Sequence, residues 1–114
     1  MTNSKVYSVI IPVKDEAQSL PQLHRELHSV MTRLKSPYEL LFIDDGSTDH
    51  SNQVIRSLQK KNSAVRLITF RANFGKSAAL SAGFNLARGS VIITLDADLQ
   101  DDPRDIPGLL SVLD

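Results

Sequence analysis

Four short apolar runs rich in β-branched residues recur through this 114-residue chain, separated by segments of helical periodicity, and a polar cluster follows each run. This alternation constrains the fold more than any other feature. Strands that alternate with helices imply parallel βαβ units with right-handed crossovers and helices on both faces of one sheet. The expected strands are Val6–Ile11, Glu39–Asp44, Val65–Phe70 and Ser90–Leu95. Pro12 is expected to end the first, because proline cannot donate to a ladder. The fold class is therefore α/β: a doubly wound, mostly parallel, Rossmann-like sheet of about four strands with flanking helices.

The intervening segments read as helices. Leu20, Leu23, Leu27, Val30, Met31 and Leu34 form an apolar stripe, with Ser19 as N-cap and Pro21 in the first turn. A second helix turns Val54, Ile55 and Leu58 inward, capped by Thr48 or Asp49. A third, from about Ser77 to Ala87, carries Ala78, Ala79, Ala82 and Gly83, small enough to lie close to a sheet, and Arg88-Gly89 ends it. A last short helix from Pro103 to Leu113 is expected to be interrupted at Pro107-Gly108, with Asp101 or Asp102 as its cap.

In a parallel sheet, ligands bind beyond the carboxyl ends of the strands. The clusters Lys14-Asp15-Glu16, Asp44-Asp45, Asn73 to Lys76 and Asp96-Asp98-Gln100 all follow strands, so all four are expected on one edge. The last is the most informative. Asp96, read as still in the strand, and Asp98 are two apart, so an extended chain aims both carboxylates to one side. Two close carboxylates repel unless a cation sits between them, and Mg²⁺ or Mn²⁺ takes oxygen ligands, often shared with substrate phosphates. Gln100 offers a neutral oxygen to the same centre; a solvated acidic turn is the plainer alternative. Asp44-Asp45-Gly46-Ser47 is either a turn with a cap or a carboxylate for a base or ribose. Gly75-Lys76-Ser77 is not a P-loop, because Phe70 stands where that motif needs glycine; Lys76 is either a phosphate partner or a solvated lysine. His24 and His28, four apart, have a metal-compatible spacing but no third ligand nearby.

Composition narrows the class. With 13 basic and 13 acidic residues, the formal net charge is zero, which argues against a nucleic-acid surface. The length suits one domain, residues 1–114. Absence of cysteine excludes disulfides and thiolate metal sites. Met1-Thr2-Asn3-Ser4-Lys5 lacks the apolar core of a signal peptide, and no apolar run is long enough to span a bilayer.

Pro12-Val13-Lys14-Asp15-Glu16, Asp44-Asp45-Gly46-Ser47, Arg71-Ala72-Asn73-Phe74-Gly75-Lys76 and the run Asp96-Ala97-Asp98-Leu99-Gln100-Asp101-Asp102-Pro103 resemble, in this order, family 2 glycosyltransferases, and within them the polyprenyl-phosphate branch. The resemblance implies the nucleotide-binding half of a GT-A fold. It implies a nucleoside-diphosphate sugar as donor, a lipid phosphate as acceptor and a divalent cation, Mg²⁺ or Mn²⁺. It also implies inverting transfer in the cytoplasm or at the cytoplasmic face of a membrane. By position, Pro12, Val13 and Glu16 would line the nucleotide pocket, and Asp45 would hold the base with Asp44 beside it. Asp96, Asp98 and Gln100 would serve the metal and the diphosphate, with Asp98 and Gln100 as the metal's nearest ligands, and Lys76 and Ala97 would belong to the nucleotide-sugar site. The family usually has an aromatic residue and then Asn where this chain has Lys14-Asp15. Family members also have a second half that builds the acceptor site. No catalytic residue is therefore assigned within this chain, little transfer is expected from it alone, and uncovered apolar surface is expected to favour self-association. The alternatives are a non-catalytic nucleotide-sugar-binding module and a receiver-like Mg²⁺-binding signalling domain, although receivers carry their acidic pair after the first strand.

Overall fold

The computed structural model describes residues 5–113, with side chains as far as Leu110; the reading of Met1 to Ser4 as no signal segment lies outside the described residues. Strands β1 (Tyr7–Val13), β2 (Tyr38–Asp44), β3 (Val65–Thr69) and β4 (Val91–Thr94) alternate with helices α1 (Leu20–Arg33), α2 (Ser51–Lys61) and α3 (Lys76–Leu86). A 3₁₀ turn at Pro103–Asp105 leads into α4 (Ile106–Leu113). All pairings are parallel, in the order β3-β2-β1-β4. The chain winds from β1 to β2 to β3, then returns across β1 to β4, so the direction of winding reverses between β1 and β4. In open α/β sheets that reversal opens the crevice where ligands bind.

Side chains alternate across the sheet, and each face has its own cover. Val9, Ile11, Val13, Leu40 and Phe42 are buried against Leu20, Leu23, Leu27 and Met31 of α1, Ile55 and Leu58 of α2, and Ile106 and Leu110 of α4. On the other face Ile10, Leu41 and Ile43 pack against Ala79 of α3. The small residues of α3 are there for proximity: a Cβ on Gly83 would lie 2.4 Å from Cγ2 of Ile10. Among the described residues no helix is long and apolar enough to cross a membrane.

Four local expectations change. Pro12 lies inside β1, paired with Ile43 of β2. The carbonyl of Val13 accepts from Asp45 N–H on the β2 side, whereas that of Ile10 accepts from Leu95 N–H on the β4 side. By alternation Pro12 faces the β4 side, beyond the last pair, Ile10 with Thr94, so no ladder bond is lost. Asp96 is not in a strand, since β4 ends at Thr94. Pro107-Gly108 does not interrupt the last helix. Pro107 falls in the first turn of α4, where its missing N–H would have had no partner in the helix. Ser19 stands at the start of α1 but makes no side-chain cap; its hydroxyl is used elsewhere. Asp102 does accept from Arg104 N–H at 2.9 Å, ahead of Pro103 as expected.

Candidate functional site

The loops after the four strands meet at one edge of the sheet, and each contains a residue with positive φ: Asp15 (55°), Gly46 (67°), Gly75 (100°) and Leu99 (65°). Each turns the chain sharply back over the strand ends. At Gly46 the turn also needs the absence of a side chain, since a Cβ there would meet the Ala72 carbonyl carbon at 2.5 Å. The loops after β2 and β3 therefore touch backbone to backbone.

Between these loops lies a pocket of about 400 Å³ lined by Pro12, Val13, Lys14, Glu16, Asp45, Asn73, Gly75, Lys76, Asp96, Ala97 and Asp98. It brings together eight expected residues: Pro12, Val13, Glu16, Asp45, Lys76, Asp96, Ala97 and Asp98. Two others are placed elsewhere. Asp44 is 2% exposed and lies behind the pocket, accepting from Ser47 N–H at 3.0 Å and from the Asn52 amide at 2.9 Å. Gln100 lies in a neighbouring hollow with Gln22, Glu26 and Arg104. The extended-chain argument that put Gln100 beside Asp98 fails because residues 97–99 form a turn and Leu99 takes a left-handed conformation.

Asp45 organises the third loop. Only 4% exposed, it accepts from Phe74 N–H at 2.7 Å and from Gly75 N–H at 3.0 Å. Gly75 then opens α3, so the position of Lys76 depends on Asp45. The Lys76 ammonium stands 2.6 Å from Oδ1 of Asp96. This hydrogen bond raises the lysine's pKa, and the charges of Asp96, Asp101 and Asp98 add to it. Asp98 accepts from Gln100 N–H at 3.1 Å and is exposed. Ser19 reaches across from α1 to donate to the Ala97 carbonyl at 2.6 Å, tying the acidic loop to the helix after β1.

Sequence reasoning placed Lys14, Asn73 and Gly75 on this edge without naming them as site residues, and missed what Asp15 does. The Lys14 ammonium donates to the Gly46 carbonyl at 3.0 Å. Oδ1 of Asp15 accepts from Thr48 N–H at 2.7 Å and Asp49 N–H at 3.1 Å, and these bonds, Thr48 first, hold its pKa below the usual carboxylate range. Lys14 and Asp15 thus clamp the loop after β2. Nothing in linear spacing signals this, because the partners are 32 to 34 residues apart.

Among the described residues no group of three His, Cys, Asp or Glu side chains is arranged to hold a metal ion. Asp96 and Asp98, two carboxylates on one wall of an open pocket, suit a cation that takes its remaining ligands from water and phosphate, as Mg²⁺ commonly does.

Comparison with known proteins agrees with this architecture. A curated relative, the undecaprenyl-phosphate 4-deoxy-4-formamido-L-arabinose transferase of Pseudomonas fluorescens, is 42% identical over 105 residues, which is 91% of this chain and 31% of the relative. The chain thus spans about a third of that protein. A mannosyltransferase from Pyrobaculum calidifontis, solved with GDP-Man and Mn²⁺, superposes with a TM-score of 0.67 at 24% identity, over 85% of this chain and 28% of its own. S. aureus TarS 1–349 with UDP gives a TM-score of 0.71 at 19% identity, over 94% and 31%. At such identities these two neighbours speak to the fold, which they share. The sequence profile described as Glycosyl transferase family 2 matches residues 8–114, nearly the whole chain, and the protein belongs to that family.

Proposed function

We propose that this chain is the donor-binding part of a metal-dependent, inverting glycosyltransferase that moves a sugar from a nucleoside diphosphate to a polyprenyl phosphate. The observation that carries the reading is the convergence of Asp45, Lys76, Asp96 and Asp98 on one pocket beyond the ends of β1 and β4. In this reading Pro12, Val13 and Glu16 flank the nucleotide. Asp45 keeps lone pairs for a base or ribose after binding the Phe74 and Gly75 amides. Asp44 supports the wall from behind. Lys76 and the turn Asp96-Ala97-Asp98 face the diphosphate. Asp96 and Asp98 hold the cation, and Gln100 joins them only if the 97–99 turn opens.

In the transfer step the bond from the sugar's anomeric carbon to the diphosphate oxygen breaks, and the electron pair leaves with the diphosphate. A phosphate oxygen of the acceptor forms the new bond from the opposite face, inverting the centre. An acceptor phosphate is already ionised, so no general base is needed. When bound, a divalent cation supplies charge stabilisation for the leaving diphosphate. Fixed positive charge from Lys76 adds to it. The curated relative, named as an undecaprenyl-phosphate sugar transferase, supports the lipid phosphate as acceptor.

Donor binding without transfer is the second reading, favoured for this chain taken alone by its coverage of only 31% of that relative. Calorimetry with UDP- and GDP-sugars, with Mn²⁺ or with chelator, tests the donor site. Saturable binding that needs the cation and is lost in Asp98→Asn is expected. Failure to bind any nucleotide sugar, or binding indifferent to chelator and to Asp98→Asn, overturns the reading. Turnover with a polyprenyl phosphate, measured in parallel, separates transfer from binding alone.

A further inference from the structure

We propose that Lys76 is an exchanging counter-ion: it holds Asp96 while the pocket is empty, and passes to the donor's phosphates when a divalent cation takes its place on Asp96. The inference rests on the donor-binding reading above and adds an order of events to it.

The Lys76 ammonium and Oδ1 of Asp96 are 2.6 Å apart. A divalent cation of the Mg²⁺ type needs a carboxylate oxygen at about 2.0–2.1 Å and repels an ammonium on the same oxygen. The two cations therefore compete for Asp96. Lys76 is free to leave: its side chain is 60% exposed, and it is carried on a flexible four-carbon stem. It also has a destination. Lys76 is the first residue of α3, an 11-residue helix whose leading N–H groups have no side-chain cap. Gly75, just before it, is held by Asp45, which lines the same pocket. A phosphate in this pocket meets the positive end of the helix and the released ammonium together. The exchange keeps both charges partnered in each state. It also discourages the pocket from holding a cation before the donor arrives, since displacing Lys76 is repaid only when phosphate is there to receive it.

The test compares the 114-residue chain with its Lys76→Gln and Lys76→Arg variants. Mn²⁺ alone is titrated by electron paramagnetic resonance, and UDP and GDP are then titrated at saturating Mn²⁺ by calorimetry. Lys76→Gln is expected to bind Mn²⁺ alone about two- to fivefold more tightly, the range for releasing an exposed ion pair. The same variant is expected to bind the nucleoside diphosphate several-fold more weakly. Lys76→Arg keeps the charge and is expected to stay near wild type in both titrations. Acylation of the Lys76 amine, followed by mass spectrometry, reads the accessibility and pairing of this amine itself. Its reactivity should rise when Mn²⁺ is added alone and fall again when UDP or GDP follows. If both ligands bind but Lys76→Gln binds Mn²⁺ no more tightly, or Mn²⁺ leaves Lys76 reactivity unchanged, the exchange is overturned and the donor site stands. If no variant binds either ligand, the donor site and the exchange both fall.

Discussion

Asp45→Asn is the perturbation that most directly probes how the pocket is held. The carboxylate is 4% exposed and spends its two oxygens on two amides, Phe74 N–H at 2.7 Å and Gly75 N–H at 3.0 Å. Asparagine has the same shape, but only its oxygen can accept, so its NH₂ is turned against one of the two N–H donors. Losing a hydrogen bond to a charged group costs about 1.5–3 kcal/mol. Because the loop follows an edge strand, the cost should fall first on the loop and not on the sheet. Native-state hydrogen exchange is the assay. Protection of the Phe74 and Gly75 amides should drop about ten- to a hundredfold, at roughly 1.4 kcal/mol per factor of ten. Amides in the centre of β1 should keep their rates. Unchanged protection at Phe74 and Gly75, or an equal loss in every strand, would refute the view that Asp45 holds this loop locally.

Three further outcomes follow from the packing and the charges. Gly83→Ala places a methyl 2.4 Å from Ile10 Cγ2 in a fully buried contact, so urea denaturation should show a loss of about 1–3 kcal/mol; an unchanged midpoint would mean that α3 does not sit this close. At Glu39, burial pushes the pKa up, but hydrogen bonds from Arg88 N–H at 2.7 Å, the Ser8 hydroxyl at 2.6 Å and the Arg66 guanidinium at 2.6 Å leave it lower than in the unfolded chain. The unfolded chain therefore binds the proton more readily. The stabilisation is complete above the ordinary glutamate range and is lost as pH falls through the folded value, a slope that Glu39→Gln should flatten in urea midpoints taken across the acid range. At His24, burial lowers the pKa, with His28, Lys61 and Arg25 adding to it. Asn62 spends its oxygen on Ala64 N–H and turns its NH₂ to Nε2 of His24 at 3.1 Å, so that nitrogen is an acceptor and the folded ring is neutral. Stability should fall as pH drops from neutral through the ordinary histidine range toward the folded value, and His24→Gln should remove that component.

The architecture was legible because strand and helix periods are both written in the apolar pattern. The stripe from Leu20 to Leu34 and the runs ending at Asp44 and Leu95 left little choice of element, and parallel pairing then fixed which loops share an edge. What escaped was decided by contacts between distant residues. Pro12 was read as a terminator because its harmlessness depends on where β4 stops pairing. Gln100 was grouped with Asp98 because a left-handed leucine at position 99 is not signalled by residue type. Residue type alone does not separate Asp44 from Asp45; the structure turns Asp44 toward Ser47 and Asn52 and leaves Asp45 lining the pocket. Ser19 was read as a local cap, while its hydroxyl serves a loop 78 residues away.

A pocket between the β1 and β4 loops that receives a nucleoside diphosphate with a divalent cation should report both in its backbone amides. When the ¹⁵N-labelled chain is titrated with UDP and with GDP in the presence of Mg²⁺, saturable amide shifts are expected at Val13, Glu16, Asp45, Gly75, Lys76, Ala97 and Asp98, abolished by chelator. Shifts confined to the neighbouring hollow around Gln100 and Arg104, or none at millimolar nucleotide, would contradict that reading of the pocket.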